Sequence, residues 1–268
     1  MQTSTLSAIV ALCLLLNLSS CLNHDSPESL APVRLRLKNV QGNSVNTTYT
    51  YDNQNRLATI TKADGSFGVF AYGDPDKKFV NTDAEKDFTY FILYSNPADR
   101  TTGEITRLPQ TLNGTNFQAD TYPLVNSKLF LSWKSRYTTY SFDANKHVTS
   151  IFRYSTAPTG DSYSYTYTGE NITKNITRLS GGHFVSSYTF DYDDKINPFY
   201  GLLDPGLADI QAFSRSNVVT TAYTSEPSIP NPVTAYKYEY NAQGLPIKRT
   251  VKQGVNVGEV LTYTYESY

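Results

Sequence analysis

The chain has 268 residues and a formal net charge of −1, because its 23 basic and 24 acidic side chains nearly balance. These charges are scattered without a basic run, so they argue against nucleic acid and anionic lipid head groups as partners. Tyrosine occurs 22 times and methionine once, a bias that predicts a strand-rich chain rather than a helical one.

The amino-terminal 21 residues predict an exported lipoprotein. Residues 1–20 hold no charged side chain, and their apolar run from Leu6 to Leu16 reaches only about half of the roughly 20 residues that a membrane-spanning helix needs. Leu-Ser-Ser-Cys follows at residues 18–21 and resembles the bacterial lipobox. That resemblance implies removal of residues 1–20 as a signal peptide and acylation of Cys21. The alternative is an unprocessed or secreted chain in which Cys21 has no special role.

Residues 21–32 are expected to form a lipidated flexible tether, since they are polar, contain Pro27 and Pro32 and show no periodicity. The acylated Cys21 would insert into membrane lipid. Leu22 and Asn23 do not resemble the signal that retains lipoproteins at the inner membrane, so we expect a lipid-anchored protein of the outer membrane. Whether it faces the periplasm or the exterior is left open. The mature chain keeps no second cysteine, so no disulfide is expected.

A single β domain is expected over residues 33–268. It begins where Val33, Leu35 and Leu37 alternate with charged residues, the pattern of a strand with one buried face and one wet face. An aromatic residue, a small or polar residue and a second aromatic residue then recur six times, usually before a turn-forming residue. The six copies are Tyr49/Tyr51/Asp52, Tyr140/Phe142/Asp143, Tyr165/Tyr167/Thr168, Tyr188/Phe190/Asp191, Tyr238/Tyr240/Asn241 and Tyr263/Tyr265/Glu266.

These copies describe strand–turn–strand units. Their starting aromatics are 91, 25, 23, 50 and 25 residues apart, which a pitch of about 23–25 residues fits if degenerate copies fill the long gaps. We therefore predict an all-β fold, an antiparallel up-and-down meander of hairpins curled into a barrel or half-barrel. Its inner or packed face should hold Tyr51, Tyr165, Tyr238 and Tyr265. The consistently polar opposite face argues against strands that cross a membrane.

The turns after the copies repeat as well. Three residues beyond each turn-forming position stand Asn55, Lys146, Asn171, Asp194 and Gly244. All but Lys146 are residue types that tolerate the left-handed backbone of a hairpin turn.

Two copies resemble the YD repeats of the RHS family. Tyr-Asp-Asn-Gln-Asn-Arg-Leu at residues 51–57 and Tyr-Asn-Ala-Gln-Gly-Leu at residues 240–245 are similar to the family's core of Tyr-Asp, two variable residues and Gly-Arg-Leu. The hairpins are therefore identified as YD-type. Together with the lipobox, residues 193–200 and 214–217 also resemble small bacterial lipoproteins described as having a porin-like β fold. This resemblance implies architecture and location, but no activity.

One long irregular insertion is predicted at about residues 196–233, because prolines such as Pro227 and Pro232 forbid regular ladder bonds. Residues 207–213 are compatible with one short helical turn. Phe199, Tyr200 and Phe213 are the candidate ligand-binding residues, since aromatic residues clustered in a loop would form the wall of a groove. In the alternative interpretation the insertion is a plug, and the same residues staple it onto the barrel end.

No catalytic residue is predicted. The sequence has no Gly-x-Ser-x-Gly elbow, and His147 and His183 both fall in hairpin turns, where a solvated turn residue is the expected role. No metal site and no cofactor are predicted either. Two distant histidines cannot build a zinc centre, and the acidic clusters at residues 74–76 and 191–194 fit turns better than calcium loops.

The function is therefore expected to be binding. The leading hypothesis is a non-enzymatic binding or interaction scaffold of the cell envelope, with a glycan or an envelope protein as its partner. A concave tyrosine face would offer rings for stacking and hydroxyls for hydrogen bonds. The alternative is a hydrolase that acts on an exported polymer through carboxylates from separate hairpins.

Overall fold

The computed structural model describes residues 34–72, 78–79, 82–83, 88–94, 102–109, 116–125, 128–129, 136–154, 160–179, 182–202, 210–225, 229–230, 232–254 and 256–268. The expected signal peptide at residues 1–20, Cys21 and the tether to residue 32 lie outside these ranges. Leu35–Glu266 forms one compact unit.

Eighteen segments pair into one sheet, and two of them, Lys128–Leu129 and Ile229–Pro230, are two-residue extensions of neighbouring hairpins. A separate short ladder joins Lys78–Phe79 to Thr82–Asp83. The other segments of the sheet are β1 (Leu35–Gln41), β2 (Asn46–Tyr51), β3 (Leu57–Lys62), β4 (Phe67–Tyr72), β5 (Phe88–Tyr94), β6 (Gly103–Pro109), β7 (Asn116–Val125), β8 (Arg136–Phe142), β9 (Val148–Tyr154), β10 (Gly160–Thr168), β11 (Asn171–Arg178), β12 (Phe184–Ile196), β13 (Ser216–Ser225), β14 (Thr234–Tyr240), β15 (Pro246–Gln253) and β16 (Asn256–Ser267).

These sixteen strands close into a barrel. Each pairs with the next along the chain and β16 pairs with β1, which gives the up-and-down order of a meander. The predicted antiparallel meander of YD-type hairpins is confirmed, as a closed barrel rather than a half-barrel. Closure gives each of the sixteen described barrel strands a partner on both sides. The described part of the chain contains one short 3₁₀ helix, Ile210–Phe213, and no helix long and apolar enough to cross a membrane.

The up-and-down order gives the barrel two distinct ends. One end, here called the repeat end, carries the turns at residues 52–56, 143–147, 169–170 and 241–245, together with residues 197–202 and 210–215 between β12 and β13. The opposite end, here called the far end, carries the turns at residues 42–45 and 63–66. Because alternate connections fall on the same end, every YD-type turn lies at the repeat end.

The aromatic residues of the repeats face the barrel interior. On β2 buried and exposed residues alternate, with Thr47 and Tyr49 buried and the intervening threonines exposed. In the register of the sheet, Tyr165 on β10 lies beside Asn175, which lies beside Tyr188. A continuous row of inward side chains thus crosses several strands.

Two apolar clusters form the inner core. Tyr51 and Tyr265 pack against the first, which surrounds Leu37 and Leu261. Tyr165 packs against the second, which is built around residues 140–151. Tyr238, the fourth tyrosine expected on this face, lines an interior cavity. The inner face therefore holds the predicted tyrosines.

The outer face is polar along β12–β16. Outward positions pair Asp191 with Thr220, and the ammonium group of Lys248 lies 3.0 Å from the carboxylate of Glu239. Strands that cross a bilayer expose an apolar band to lipid instead, and a basic residue there costs roughly 2–4 kcal/mol near the midplane. This part of the surface is suited to water.

The outer face is not polar throughout, in contrast to the prediction. Tyr90, Ile92 and Ile105 form a buried cluster on the face of β5 and β6 that points away from the interior. The sequence of β5, Phe-Thr-Tyr-Phe-Ile-Leu-Tyr, is a nearly continuous apolar run. Such a run buries both faces of a strand, whereas the alternating strands bury one.

The predicted irregular insertion is too long. Its middle, Ser216–Ser225, is the regular strand β13, which pairs with both β12 and β14. The sequence Ser-Asn-Val-Val-Thr-Thr-Ala-Tyr-Thr-Ser is rich in β-branched residues, and the neighbouring prolines concealed this strand pattern. The irregular segment that the structure describes at the repeat end is residues 197–202 and 210–215, here called the insertion. Of the helical turn expected over residues 207–213, Ile210–Phe213 is a 3₁₀ helix, and residues 207–209 lie outside the described ranges.

Candidate functional site

The turns of the repeats are built around an aspartate. One carboxylate oxygen of Asp52 accepts hydrogen bonds from the backbone N–H groups of Gln54 and Arg56, both at 2.9 Å. The other oxygen binds the Arg56 side chain, with Nε and Nη2 each at 2.8 Å. Asn55, between them, has a φ of 62°, the left-handed conformation that asparagine tolerates. In this copy, the spacing of four residues allows Arg56 to bind the carboxylate of Asp52 with both its backbone and its side chain.

The arginine of the turn also contacts the following strand pair. The guanidinium carbon of Arg56 lies 4.0 Å from the centroid of the Tyr72 ring, and the Tyr72 hydroxyl donates a 2.9 Å hydrogen bond to the carbonyl of Leu57. A cation over an aromatic face is attracted by the ring quadrupole. One Asp–Arg–Tyr chain of contacts therefore links β2, β3 and β4 at the repeat end.

A second copy uses histidine in place of arginine. Nδ1 of His147 lies 3.0 Å from the carboxylate of Asp143, and its ring stacks on Tyr167 with a centroid distance of 4.6 Å. Lys146 has a φ of 70°, although lysine is not a residue type that favours the left-handed backbone. His147 is thus a half-buried turn residue rather than a solvated one. His183, in contrast, is exposed in its turn.

The fourth copy is shifted by two residues from the predicted Tyr188/Phe190/Asp191. Asp193, not Asp191, receives the turn N–H group, from Lys195 at 3.0 Å. The Tyr192 hydroxyl donates to the carbonyl of Ile172 at 2.5 Å, as Tyr72 does to Leu57. A break in the pairing register after residue 191 lengthens the strand and moves the turn.

The same hydroxyl-to-carbonyl bond recurs around the barrel. Tyr51 donates to Leu37, Tyr238 to Val218 and Tyr265 to Pro246, at 2.6, 3.0 and 2.7 Å. In each case the acceptor lies on the preceding strand. Burial raises the pKa of Tyr238 and Tyr265, as it raises that of Tyr49 to about 12.

The insertion enters the barrel interior. The Phe199 ring packs against Tyr49 and Tyr263, with centroid distances of 6.5 and 6.3 Å, and Phe213 meets Tyr165 edge-on at 6.0 Å. Such tilted and edge-on contacts are favourable for aromatic rings. The two phenylalanines therefore anchor the insertion to inward tyrosines of the wall.

Polar bonds fix the base of the insertion. Asn197, which is buried, donates from its amide group to the carbonyl of Ser214 at 3.0 Å and accepts from the N–H of Phe199 at 3.0 Å. The Ser214 hydroxyl accepts from the N–H of Ile172 at 3.1 Å. The two ends of the insertion are thus bonded to each other and to β11.

Three cavities lie along the interior and its repeat end. The phenylalanine cavity, about 430 Å³, is lined by Phe70, Phe91 and Phe199 among others. The tyrosine cavity, about 510 Å³, is lined by inward residues of β9–β15. The turn cavity, about 530 Å³, lies among the repeat turns. Ala212 of the insertion lines both the first and the third, so the insertion separates them.

Five tyrosine rings of the tyrosine cavity come from three strands, β10, β12 and β14. They are Tyr163, Tyr165, Tyr188, Tyr236 and Tyr238. Its polar lining includes Asn175, which is buried, and Arg249 of β15. No Asp or Glu occurs among the described residues that line any of the three cavities. The described residues also contain no group of three or more side chains able to hold a metal ion.

The three predicted ligand-binding residues lie on both sides of the insertion. Phe199 lines the phenylalanine cavity, whereas Tyr200 and Phe213 line the turn cavity. Tyr200 is 41 % exposed. Their role in binding stays a prediction. Sequence reasoning missed Arg249 and Arg153, because an inward arginine on a strand is recognisable only once the register is known.

Comparison with known proteins identifies the repeat and the fold. Residues 34–66 match the family model "RHS Repeat", and this segment contains the Asp52 turn. A porin-like protein from Bacteroides vulgatus has a similar structure, with a TM-score of 0.52 at 9% identity over 87% of this chain and 99% of that chain. One from Bacteroides uniformis gives a TM-score of 0.39 at 14% identity over 87% and 95%. No curated protein matches the sequence. The chain thus carries an RHS repeat and has a porin-like β fold, as the resemblance implied.

Proposed function

We propose that this protein is a non-enzymatic binding scaffold of the cell envelope whose barrel interior binds a saccharide. The observation that carries the proposal is the tyrosine cavity, in which five tyrosine rings surround about 510 Å³ within a closed barrel. Ligand sites commonly have volumes of about 300–1,000 Å³ and are lined by aromatic residues with a few placed polar groups. This cavity has that size and that lining.

The chemistry of the lining favours a sugar. Tyrosine rings present flat apolar surfaces for the C–H faces of a pyranose, and hydroxyls accept or donate hydrogen bonds to its hydroxyl groups. Asn175 adds a buried amide group with both donor and acceptor capacity. A purely structural interior would need neither the space nor this buried amide group.

The hydrolase alternative has no such support. Glycoside cleavage needs two carboxyl groups roughly 5–10 Å apart around the scissile bond. The described lining of the cavities contains cations but no Asp or Glu. We therefore favour binding without catalysis.

The envelope location in this proposal rests on the lipobox at residues 18–21, which lies outside the described residues, and on the porin-like fold. The lipid on Cys21 would hold the barrel at the outer membrane. The polar outer face of β12–β16 agrees with a barrel that stands in water beside the membrane rather than within it.

Retention on immobilised oligosaccharides tests the proposal. We expect the purified protein to be retained by a subset of the sugars. Replacing Tyr188 by Leu should weaken retention by roughly tenfold, because it removes a stacking ring from the cavity.

The matched control is Tyr154→Leu. Tyr154 stacks on Tyr137 on the outer side of the barrel, with a centroid distance of 4.1 Å, so its loss should leave retention unchanged. The proposal fails if no oligosaccharide is retained, or if both substitutions weaken retention equally.

A further inference from the structure

Charge is unevenly distributed between the barrel interior and the rest of the chain. The formal net charge of the whole protein is −1. Among the described residues that line the two interior cavities, however, every charged side chain is basic. These are Lys62 and Arg249 in the phenylalanine cavity, and Arg153 and Arg249 in the tyrosine cavity. Arg249 is half-buried, whereas Lys62 and Arg153 are exposed, so the low-dielectric walls strengthen the field of Arg249 most, and the cavities attract anions.

The two arginines of the tyrosine cavity are held over tyrosine rings. The guanidinium carbon of Arg249 lies 5.3 Å from the Tyr236 ring centroid, and that of Arg153 lies 5.0 Å from the Tyr163 ring centroid. Arg153 lies on β9, the first strand of the cavity wall, and Arg249 lies on β15, the last. Contact with a ring face orients a guanidinium group and leaves its N–H edge available.

Neither guanidinium has a carboxylate partner within the described part of the chain. Asp161 lies opposite Arg153 in the register of β9 and β10, yet the two form no ion pair. The Nε atom of Arg249 is buried and makes no hydrogen bond. A buried donor on a cation is costly unless a partner supplies the missing bond. The arginine that lines the turn cavity, Arg56, is by contrast paired with Asp52.

We infer that the tyrosine cavity binds an acidic saccharide, with Arg249 and Arg153 holding its carboxylate or sulfate group while the tyrosine rings stack on the sugar. The inference rests on the proposed function and adds the class of ligand. The fork of an arginine matches both anions, since each offers two oxygens to parallel N–H groups.

The test compares sugars that differ only in charge. The probes are oligogalacturonides and their methyl esters, and heparin-derived oligosaccharides with their desulfated counterparts. Wild-type protein should retain an acidic member of these pairs at least about tenfold more strongly than its neutral match. The pair that shows the preference identifies the anion as carboxylate or sulfate.

Substitutions then assign the preference to the arginines. Arg249→Met keeps the length and apolar stem of the side chain but removes the cation, and it should reduce the acidic preference to less than about threefold. Arg153→Met should reduce it as well. The matched control is Lys248→Met, which removes a cation from the outward position next to Arg249, and it should change nothing.

Thermal unfolding without ligand separates this role from a structural one. If the role of Arg249 is to bind a ligand, Arg249→Met should leave the unfolding midpoint unchanged or raise it. The variant no longer buries the Nε–H donor that lacks a partner. A lowered midpoint with an intact acidic preference would overturn the inference. Equal retention of acidic and neutral sugars would also overturn it while leaving the proposed function standing. Retention of no sugar would overturn both.

Discussion

Arg36 and Glu266, which are 230 residues apart, form the ion pair that Asp52 and Arg56 form within a single turn. Nη2 of Arg36 lies 2.7 Å from the Glu266 carboxylate, and its guanidinium carbon lies 4.3 Å from the Tyr51 ring centroid. The Tyr51 hydroxyl donates to the carbonyl of Leu37. The last strand therefore supplies the acidic half of a repeat, and the first strand supplies its basic half. The barrel closes by completing a split repeat.

The closure pair should contribute to stability. Because the two side chains are only 20% and 32% exposed, we expect Arg36→Ala and Glu266→Ala each to lower the free energy of unfolding by about 1 kcal/mol. A double-mutant cycle in urea should give a coupling energy above about 0.5 kcal/mol. Glu170 and Arg215, a pair 3.4 Å apart with 52% and 60% exposed side chains, are the control. An equal coupling energy in both pairs would contradict a special role for the ion pair that joins β1 to β16.

The Asp143 turn should accept arginine. His147→Arg recreates the contacts of Arg56 with its aspartate and with a ring, so we expect an unfolding midpoint equal to or above that of the native chain. His147→Ala removes both contacts and should lower the midpoint. Thermal unfolding monitored by circular dichroism measures both. A destabilised His147→Arg variant would show that the two turns are not equivalent.

The same turns predict that the free energy of unfolding falls in acid. Partial desolvation raises the pKa of Asp52 and Asp143, but bonds from the backbone N–H groups and side chains of Arg56 and His147 outweigh it, so both carboxyls keep a pKa below the ordinary value. A lowered folded-state pKa stabilises the protein above the unfolded pKa of about 3.9, and the contribution is lost as pH falls through the folded-state pKa. Asp52→Asn/Asp143→Asn should therefore lose less stability between neutral pH and pH 3 than the native chain in urea titrations.

The strands were predictable because their chemistry is local. On β10, tyrosine alternates with serine and threonine, which specifies one polar and one aromatic face whatever the partner strand is, and the aspartate of the repeat specifies its own turn. The position of the fourth turn was missed, although Phe190/Tyr192/Asp193 fits the repeat as well as Tyr188/Phe190/Asp191 does and carries its Tyr-Asp pair. The two matches overlap in sequence, and the pairing with β13 distinguishes them.

The site was less predictable than the fold. The aromatic insertion stood out as a break in the repeat, but the arginines did not. Arg249 lies in the sequence Pro-Ile-Lys-Arg-Thr, where two adjacent basic residues suggest that both side chains are exposed to solvent. The register places Arg249 beside Tyr238 and Lys248 beside Glu239, which sends one cation inward and the other outward.

The interior tyrosines predict that the free energy of unfolding falls at alkaline pH. Burial raises the pKa of Tyr49 and Tyr192 to about 12 each. A raised folded-state pKa means that the stabilisation is fully present below the unfolded tyrosine pKa of about 10 and is lost as pH rises through the folded-state pKa. We expect the ultraviolet absorbance of tyrosinate from these residues to appear together with the loss of strand circular dichroism. Full ionisation with the barrel still folded would contradict their burial.

The expected lipid anchor predicts release on mutation. Cys21→Ala removes the proposed acylation site, so the protein should leave the membrane fraction or stay unprocessed, and a palmitate analogue should no longer label it. Because the outer face of β12–β16 is polar, the released protein should elute as a discrete species without detergent. Labelling that persists in the Cys21→Ala protein would rule out this anchor.

Phe199 and Tyr200 are adjacent residues with opposite expected roles. Phe199 packs against Tyr49 and Tyr263, so Phe199→Ala should lower the free energy of unfolding by about 2–4 kcal/mol and the midpoint by roughly 5–10 °C. Tyr200 is 41% exposed in the wall of the turn cavity, so Tyr200→Ala should change stability by about 0.5 kcal/mol or less.

Binding then decides what Tyr200 does. If it touches a ligand at the repeat end, Tyr200→Ala abolishes retention on the sugar that the native protein binds, at an unchanged unfolding midpoint. If it is a second staple beside Phe199, the substitution lowers the midpoint by several degrees and the folded fraction still binds. Tyr200→Phe separates the ring from its hydroxyl, because stacking on a sugar survives that change and a hydrogen bond does not. A lowered midpoint with intact retention would remove Tyr200 from the candidate site and leave the tyrosine cavity as the place where ligand is expected.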